Sequence, residues 1–505
     1  MDIVFRVDSS IHIGSGHVMR CLVLAQELRR LRYSIRFVTR PQNGDSIEHI
    51  RQQGFVVIEL PQPQEELTPR TSADYLAWLQ VPVKSDMEDF CSTIKCTDLV
   101  VVDHYALGKD WQESVKKYLG CKVVAIDDLV RQHCADIIVD QTLYRSPDEY
   151  AAKNSGSIIL TGTDYALLNT QFSTKREQAL DDELDDIAIR VLVSLGGIDK
   201  DNVTIEVLKT LLLLGAKKPK VTVLLSEKSP SYDSVKNFCV EQAGWAHHIS
   251  FVENMAEIML EHTISIGASG TTSWERACLG VPSIIIPLAE NQRVIATNLV
   301  KAGAAILVEP GNINEKLTGS YQKLLKHRLK YRRKNLSLCD GLGVKRVANS
   351  IKSLLADNAR KVFLRRAQTN DIRQVYAWQC KPETRKFALT KEMPAWETHQ
   401  KWMKQKLLSK SDYFYMVVLA GSQESVGVVR LDRVRRAEYL VSIFLYSEYF
   451  GQGIAKQALR NVDDIHQQVT LRATVLENNI ASQRLFVAAG YQRVSEESFI
   501  RLPII

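Results

Sequence analysis

A strand, a glycine turn and a helix follow one another at the start of the chain, and this unit recurs. Residues 3–7 are apolar, Gly14-Ser15-Gly16 forms a turn, and residues 17–31 carry apolar side chains at helical spacing. Further short apolar strands, several of them separated by helical stretches, are expected at 35–39, 99–103, 123–127 and 137–140. Strands that alternate with helices form parallel sheets with right-handed crossovers. The pattern therefore predicts a doubly wound, Rossmann-like α/β domain over residues 1–165.

The same pattern restarts after an acidic stretch at 181–186. A strand is expected at 187–194, followed by a turn at Gly196-Gly197 and a helix at 202–214. Later strands are expected at 221–225, 264–267 and 283–286. A second doubly wound domain is thus expected over 166–355, and two such domains facing each other enclose a cleft. A linker at 356–361 then leads to residues 362–505, a third unit with its own pattern of strands and helices.

Composition narrows the setting in which such a chain works. The 505 residues suit three domains, and 45% hydrophobic with 24% charged residues is typical of a soluble globular protein. The nine cysteines are scattered without a C-x-x-C pair, which favours a reducing cytoplasm over a disulfide framework or a zinc site. The apolar runs are too short to span a bilayer. We therefore expect a cytoplasmic protein with neither a membrane nor a nucleic acid as partner, and we interpret the basic run 326–334 as a solvated helix face.

The first glycine turn places a histidine at a helix N-terminus. Gly14 and Gly16 allow a tight turn and leave backbone amides exposed. His17 comes next, at the positive end of the helix dipole, which disfavours imidazolium. Neutral imidazole is the form that a general base requires. These residues alone favour a histidine that merely caps or packs at the helix start, and the catalytic interpretation needs further support.

Two loops of the second domain have the character of an anion site. Gly196 and Gly197 follow a strand and precede a helix, so their amides can approach a diphosphate or a uracil closely. Ser269-Gly270-Thr271-Thr272 precedes a short helix that carries Glu275. Amides and hydroxyls at that helix start suit a diphosphate, and a carboxylate one turn later could accept hydrogen bonds from ribose hydroxyls. The alternative for Glu275 is an exposed helical acid.

Several segments of residues 1–350 together resemble one enzyme family. The segments are GSGHVMR (14–20), VVDHY (101–105), AIDD (125–128), GTDYALL (162–168), SLGGID (194–199) and ASGTTSWERACLGVPSIII (268–286). They resemble the hydrolases of pseudaminic acid biosynthesis, which belong to the glycosyltransferase-B superfamily and release UDP from UDP-2,4-diacetamido-2,4,6-trideoxy-β-L-altropyranose. The resemblance implies that His17 is the general base, that Glu275 binds the ribose, and that the glycine loops hold UDP without a metal ion. Asp103, His104 and Asp127 match motif positions without an assigned role.

The third domain carries a different glycine turn. An apolar strand at 441–445 leads to Gly451-Gln452-Gly453-Ile454-Ala455, which opens a helix, and a further strand at 469–476 precedes Asn479. Backbone amides in such a turn can surround a pyrophosphate. Together these elements resemble the GNAT-type N-acetyltransferases. The resemblance implies an α+β domain over 362–505, with acetyl-CoA as co-substrate, bound by these five turn residues and by Asn479.

Two phenylalanines depart from the GNAT pattern. Phe450 stands where the family usually has Arg or Gln, and Phe486 stands where many members have the tyrosine that protonates the departing thiolate. We therefore assign no general acid. Glu438 and Glu477 are candidate bases, although each is more typical of an ordinary surface acid. Trp396-Glu397-Thr398-His399 and Trp402 resemble the acceptor helix of amino-sugar acetyltransferases and of enzymes that acetylate protein N-termini.

The combined resemblance implies a bifunctional enzyme. The C-terminal domain would acetylate the amino group of a UDP-4-amino-4,6-dideoxy sugar, and the N-terminal half would hydrolyse the product by an inverting, metal-independent C–O cleavage. UDP-amino-sugars are therefore the expected partners. Two alternatives stay open: a glycosyltransferase with an acceptor other than water, and a nucleotide-sugar-binding module, each fused to an acetyltransferase of another amine such as a protein N-terminus.

Overall fold

The computed structural model describes residues 1–63, 65–71, 73–181, 188–196, 198–215, 218–356 and 361–504. The chain forms two compact units, Met1–Val344 and Lys345–Ile505. The first unit contains two parallel sheets, called here the first and the second lobe. The predicted turn residue Gly197, part of the acidic stretch and the centre of the expected linker lie outside the described residues.

The first lobe is a doubly wound domain, as the sequence predicts. Its seven parallel strands lie in the order β3-β2-β1-β4-β5-β6-β7. The strands are β1 (Asp2–Val7), β2 (Ser34–Thr39), β3 (Val56–Glu59), β4 (Leu99–Asp103), β5 (Lys122–Ile126), β6 (Ile137–Asp140) and β7 (Ile158–Thr161). The helices are α1 (Gly16–Arg30), α2 (Ile47–Gln52), α3 (Tyr75–Leu79), α4 (Val83–Thr93), α5 (Lys109–Leu119) and α6 (Pro147–Ala151). The strand order reverses between β1 and β4, and ligands of such sheets bind at the carboxyl end of that switch point.

The second lobe repeats this architecture. Its strands lie in the order β10-β9-β8-β11-β12-β13, all parallel, with the switch point between β8 and β11. They are β8 (Arg190–Ser194), β9 (Lys220–Leu224), β10 (Ala246–Ile249), β11 (Ile264–Gly267), β12 (Ser283–Ile285) and β13 (Ala305–Leu307). The helices are α7 (Thr170–Asp181), α8 (Val203–Leu212), α9 (Tyr232–Glu241), α10 (Met255–Leu260), α11 (Thr272–Leu279), α12 (Glu290–Lys301), α13 (Ile313–Lys326) and α14 (Arg328–Leu336).

The second unit is built on a mixed sheet, as expected for an α+β domain. The strand order is β14-β15-β16-β17-β18-β20-β19, and β17 with β18 is the parallel pair. The strands are β14 (Val362–Arg366), β15 (Tyr413–Leu419), β16 (Ser425–Arg435), β17 (Glu438–Leu445), β18 (Thr470–Thr474), β19 (Gln492–Arg493) and β20 (Ser498–Arg501). The helices are α15 (Gly343–Leu354), α16 (Ile372–Gln379), α17 (Pro382–Arg385), α18 (Trp396–Leu408), α19 (Ile454–Ile465) and α20 (Ile480–Ala488).

Helix α15 packs within the second unit, although its sequence precedes the expected linker. Arg346 is fully buried and donates to the Tyr415 hydroxyl over 3.1 Å. The Ser353 hydroxyl donates to the Val362 carbonyl over 2.9 Å. The units therefore divide about ten residues before the predicted domain boundary. Within the described part of the chain, no helix is long and apolar enough to cross a membrane.

Candidate active sites

His17 lies at the carboxyl end of the first sheet, in the first turn of α1. Its Nδ1 is 2.7 Å from Oδ1 of Asp103, the last residue of β4. Burial alone would raise the pKa of Asp103, but the Arg20 guanidinium and His17 outweigh it and hold this pKa well below its usual range. The ionised carboxylate therefore accepts, and Nδ1 carries the hydrogen. Nε2 is the nitrogen that is left to take up a proton.

Arg20 fixes the carboxylate that orients His17. Its Nε donates to Asp103 Oδ2 over 2.6 Å and its Nη2 donates to Asp103 Oδ1 over 2.7 Å, a bidentate pair. Its Nη1 donates to Asp128 Oδ2 over 2.7 Å, and this oxygen also accepts from the Tyr105 hydroxyl over 2.8 Å. Arg20 follows His17 by three residues on α1, so both side chains lie on one helix face. The motif HVMR thus supplies both the histidine and the arginine that holds its carboxylate partner.

Aromatic side chains and two glycines shape the space around His17. The Tyr105 ring meets the imidazole edge-on at a centroid distance of 4.8 Å, and Trp78 lies at 6.3 Å. Gly14 has a φ of +77°, which favours glycine, and a Cβ atom at Gly14 or Gly16 would meet nothing within 4 Å. The predicted residues Gly14, Gly16 and His17 therefore lie together beside open space, as a substrate site requires.

The other motif residues of the first lobe have structural partners. The Asp127 carboxylate accepts from Arg131 Nε over 2.8 Å and from the Tyr150 hydroxyl over 2.9 Å. His104 is buried, and its Nδ1 accepts from the Ala106 amide over 3.1 Å. Burial lowers the pKa of His104 to about 4, so that its ring is neutral near pH 7. Neither residue adds a second base beside His17.

The nucleotide loops predicted in the second lobe follow the adjacent strands β8 and β11. Gly196, two residues after β8, has a φ of +96° and open space around its Cα. Thr271 is the N-cap of α11 and Thr272 its first residue, and the Thr271 side chain makes no capping hydrogen bond. Ser269 is fully buried, and its hydroxyl donates to the Gln292 carbonyl over 2.9 Å. Ser269 thus shapes the loop with its side chain, and the open space near Gly270 leaves the backbone accessible.

Glu275 is half-buried in the first turn of α11. Among the described residues its carboxylate forms neither a hydrogen bond nor an ion pair within 4.0 Å. Burial raises the pKa of Glu275 to about 7, and the neighbouring Arg276 offsets part of this effect. The side chain is therefore an acceptor without a protein donor, which differs from the exposed acid that the sequence left as the alternative.

Loops from the two carboxyl edges meet within the first unit. Lys228, in the loop after β9, donates from its Nζ to the Asp45 carbonyl in the loop after β2 over 3.3 Å. A second contact runs from Asn298 Nδ2 on α12 to the carbonyl of Leu143, which follows β6, over 2.9 Å. Residues at the ends of strands in one lobe thus adjoin the other lobe.

The second unit has an opening between two parallel strands. Strands β17 and β18 pair only from Glu438 with Thr470 to Leu440 with Arg472, so the remainder of β17 has no partner strand on that side. The predicted turn follows, with a φ of +72° at Gly451 and +76° at Gly453. Gly453 is the N-cap of α19, and no side chain caps this helix. Its first amides are therefore available to an anion, which fits the pyrophosphate of acetyl-CoA.

The other predicted acetyl-CoA residues contribute to this turn or to the next helix. Gln452 Nε2 donates to the Glu448 carbonyl over 3.0 Å, and Ile454 is buried beneath the turn, followed by the half-buried Ala455. Asn479 caps α20, because its Oδ1 accepts from the Ser482 amide over 3.1 Å. The turn is thus braced by its side chains and leaves the backbone for ligand contacts.

The candidate acids and bases of the second unit separate clearly. Phe486 is a core residue that packs on Tyr491 with ring centroids 5.0 Å apart. Hydrogen bonds from Arg435, followed by those from Arg472, hold the pKa of Glu438 below its ordinary value. Glu438 also lies where β17 and β18 are still paired, away from their opening. Glu438 is therefore unsuited to the role of base. Glu477, the other candidate, is exposed to solvent.

No group of three or more His, Cys, Asp or Glu side chains is arranged to hold a metal ion in the part of the chain that the structure describes.

Comparisons with known proteins agree with this architecture. Residues 192–351 match the glycosyltransferase family 28 C-terminal domain, and residues 361–492 match the acetyltransferase (GNAT) domain. An uncharacterized protein of Methanocaldococcus jannaschii is 23% identical in an alignment 517 positions long, which covers 98% of each chain. UDP-2,4-diacetamido-2,4,6-trideoxy-beta-L-altropyranose hydrolase of Campylobacter jejuni is 25% identical over 305 residues, 60% of this chain and 97% of that protein.

A solved structure supports the fold of the first unit. The crystal structure of MurG from Acinetobacter baumannii aligns with a TM-score of 0.50 and 16% identity, over 70% of this chain and 99% of MurG. The two parallel sheets are therefore of the glycosyltransferase-B type. The chain thus carries a domain similar to the glycosyltransferase family 28 C-terminal domain over residues 192–351 and an acetyltransferase (GNAT) domain over residues 361–492.

Proposed function

We propose that the first unit hydrolyses a UDP-sugar and that the second unit acetylates an amino group of the same class of sugar nucleotide. The observation that carries the proposal is the orientation of His17, whose Nδ1 is held 2.7 Å from Asp103 while Arg20 holds Asp103. A histidine fixed through one nitrogen is ready to act as a base through the other. The hydrolase that aligns with 60% of this chain carries a UDP-2,4-diacetamido sugar in its name, and we take this class as the substrate.

In the hydrolytic step, His17 Nε2 takes a proton from a water molecule as the water oxygen forms a bond to the anomeric carbon. The bond between that carbon and the UDP oxygen breaks, and UDP leaves with the electron pair. Attack from the face opposite UDP inverts the anomeric centre. Asp103 stabilises the imidazolium that forms, because its carboxylate accepts from Nδ1. The proton of the attacking water thus moves to His17, a side chain of the protein.

The second lobe would hold the leaving group. Amides near Gly196 and at the start of α11 would donate to the diphosphate, which gains charge as the bond breaks. Glu275, which has no protein donor, would accept hydrogen bonds from the ribose hydroxyls. The contact between Lys228 and Asp45 supports a site that is shared by the two lobes.

In the second unit, the turn at Gly451 and Gly453 would bind the pyrophosphate of acetyl-CoA through its amides. The amine nitrogen would form a bond to the acetyl carbonyl carbon of acetyl-CoA, the carbon–sulfur bond would break, and CoA would leave as a thiol with the proton that the amine loses. Trp396 and Trp402 on α18 lie on either side of His399, with ring centroids 6.4 and 5.6 Å from it, and would line the acceptor side. We place acetylation before hydrolysis, so that both units act on a sugar that still carries UDP.

A time course of masses tests the proposal. The protein is incubated with acetyl-CoA and a UDP-4-amino-4,6-dideoxy sugar, and we expect the acetylated UDP-sugar first, followed by UDP and the free diacetamido sugar. Without acetyl-CoA, we expect little UDP release. UDP release that requires an added acceptor would instead favour a glycosyltransferase, and acetylation without UDP release would favour a binding module.

A further inference from the structure

Arg276 is a buried cation on α11, next to Glu275 in the sequence. It is 1% exposed, and its Nη2 donates to the Ala268 carbonyl over 2.7 Å and to the Ser273 hydroxyl over 3.1 Å. Both acceptors lie in or beside the loop that would hold the nucleotide. The guanidinium therefore lies against the inner side of this loop.

The same guanidinium reaches the ends of two strands. A Cβ atom at Gly267 would collide with Arg276 Nη1, and it would also lie 2.7 Å from the carbonyl oxygen of Ser194. Gly267 ends β11 and Ser194 ends β8, the strands on either side of the switch point. Arg276 thus occupies the floor between the two loops, and Gly267 leaves the space for it.

Arg276 forms no ion pair among the described residues, and its neighbour Glu275 acts on it only through a weaker electrostatic attraction. No carboxylate among the described residues lies within 4.0 Å of its nitrogens, and its Nε has no hydrogen-bond partner. Burial lowers the pKa of Arg276 to about 10, with a smaller opposing effect from Glu275, so the side chain is still a cation at pH 7. A buried charge without a partner is unfavourable unless something supplies the opposite charge.

We propose that the diphosphate of the bound nucleotide supplies this charge, so that Arg276 is a positioning residue that selects for nucleoside diphosphates. It acts through its electric field at the switch point and through its hydrogen bonds to the Ala268 loop. This inference rests on the proposed function, because it takes the second lobe as the nucleotide site. The field would favour a ligand in proportion to its negative charge.

Calorimetric binding to the full chain tests the inference with UDP, UMP and uridine, at low ionic strength to limit screening. For Arg276→Gln we expect UDP to bind at least ~10-fold more weakly, UMP to lose less, and uridine to stay within ~2-fold of the wild type, since a neutral ligand does not respond to the lost charge. Equal losses for all three ligands would show that Arg276 only shapes the loop. Unchanged UDP affinity would contradict the inference outright.

Arg276→Lys keeps the charge and provides a second test if Arg276→Gln does not fold. The inference predicts that all three ligands bind this variant within ~3-fold of the wild type, because the ammonium replaces the field. A clear loss of uridine affinity would show that the hydrogen bonds of the guanidinium matter and the charge does not. Wild-type protein that binds no UDP would overturn the proposed function and this inference, whereas a wild type that binds UDP without hydrolysing the sugar nucleotide would overturn only the former.

Discussion

The two lobes of the first unit differ in whether their charged side chains at the carboxyl edge of the sheet form ion pairs. At the carboxyl edge of the first sheet, buried carboxylates each have an arginine: Asp103 pairs with Arg20, Asp127 with Arg131 and Asp140 with Arg145. At the corresponding edge of the second sheet, Glu275 and Arg276 have no ion-pair partner within 4.0 Å among the described residues. Burial raises the pKa of Glu275 to about 7 and lowers the pKa of Arg276 to about 10.

This difference corresponds to two tasks. A general base must be held in one orientation before the substrate arrives. His17 is held in this way, because it hydrogen-bonds to Asp103 and Arg20 holds the Asp103 carboxylate. A binding lobe gains affinity when the ligand satisfies groups that the protein leaves unsatisfied. We therefore expect substitutions in the first lobe to reduce catalysis and stability, and those in the second lobe to reduce affinity at little cost in stability.

The largest expected effect concerns His17. His17→Asn should lower the hydrolysis rate at least ~100-fold, the scale of a lost general base, because neither His104 nor Asp127 is placed to replace Nε2. UDP affinity and acetyl transfer should stay at wild-type values. His247→Asn, on an exposed position of β10, is the matched control. Steady-state release of UDP measures the effect, and near-normal hydrolysis by His17→Asn would remove the proposed base.

The second prediction separates the two units. Gly453→Asp should weaken acetyl-CoA binding at least ~10-fold relative to Gly453→Ala, because the carboxylate would repel the pyrophosphate. Both variants strain the backbone at a φ of +76°, so their comparison isolates the charge. Hydrolysis of an already acetylated UDP-sugar should be unaffected. Equal affinities of the two variants in a calorimetric titration would remove the turn from the acetyl-CoA site.

The third prediction concerns the buried ion pair of Asp103 with Arg20 in the first lobe. Asp103→Asn should lower hydrolysis ~10-fold or more, since the amide no longer stabilises the imidazolium. It should also lower the free energy of unfolding by about 3 kcal/mol, because it removes one partner of a buried ion pair with Arg20. Asp110→Asn on the exposed face of α5 is the control for stability. Equal free energies of unfolding for the wild type and Asp103→Asn in denaturant would show that the ion pair does not stabilise the first lobe.

The fourth and smallest effect concerns Glu275. Glu275→Gln should weaken UDP binding ~5-fold, because an anionic acceptor for the ribose hydroxyls becomes neutral. The loss should grow from pH 6 to pH 8, as the wild-type carboxyl ionises through its pKa of about 7.

The same rise in pH should lower the free energy of unfolding of the wild type relative to that of Glu275→Gln. The folded-state pKa of Glu275 lies above its ordinary value, so the folded chain holds this proton more tightly than the unfolded chain. The stabilisation is complete below the ordinary pKa and is lost as the pH rises through 7. The wild type should therefore lose stability relative to Glu275→Gln over this range, and Glu315→Gln on an exposed position of α13 should show no such trend. The opposite slope would contradict the account of a partnerless carboxylate.

Periodicity was sufficient to predict the two parallel sheets, because alternating strands and helices determine the class of an α/β domain. The mixed sheet of the second unit was expected from the resemblance to the GNAT enzymes. It could not assign α15 to a unit, because an amphipathic pattern shows that a helix has an apolar face and not which domain covers that face. Buried contacts, among them those of Arg346 with Tyr415 and of Ser353 with the Val362 carbonyl, place this helix in the second unit.

The candidate site was predicted in part. His17 and the glycine turns have recognisable local patterns, and Arg20 could have been found from its position three residues after His17. Arg276 could not, because a buried arginine and a surface arginine on a helix look alike in one sequence. Its role depends on Gly267 and Ser194, which are distant in the chain and adjacent across two strands.

The position of bond cleavage tests the central claim most directly. Hydrolysis of the UDP-2,4-diacetamido sugar in ¹⁸O-labelled water is followed by mass spectrometry of both products. If His17 directs water to the anomeric carbon, the label appears in the free sugar and UDP stays unlabelled. Label in UDP would mean attack at phosphorus, and it would contradict the proposed mechanism even if every residue assignment were correct.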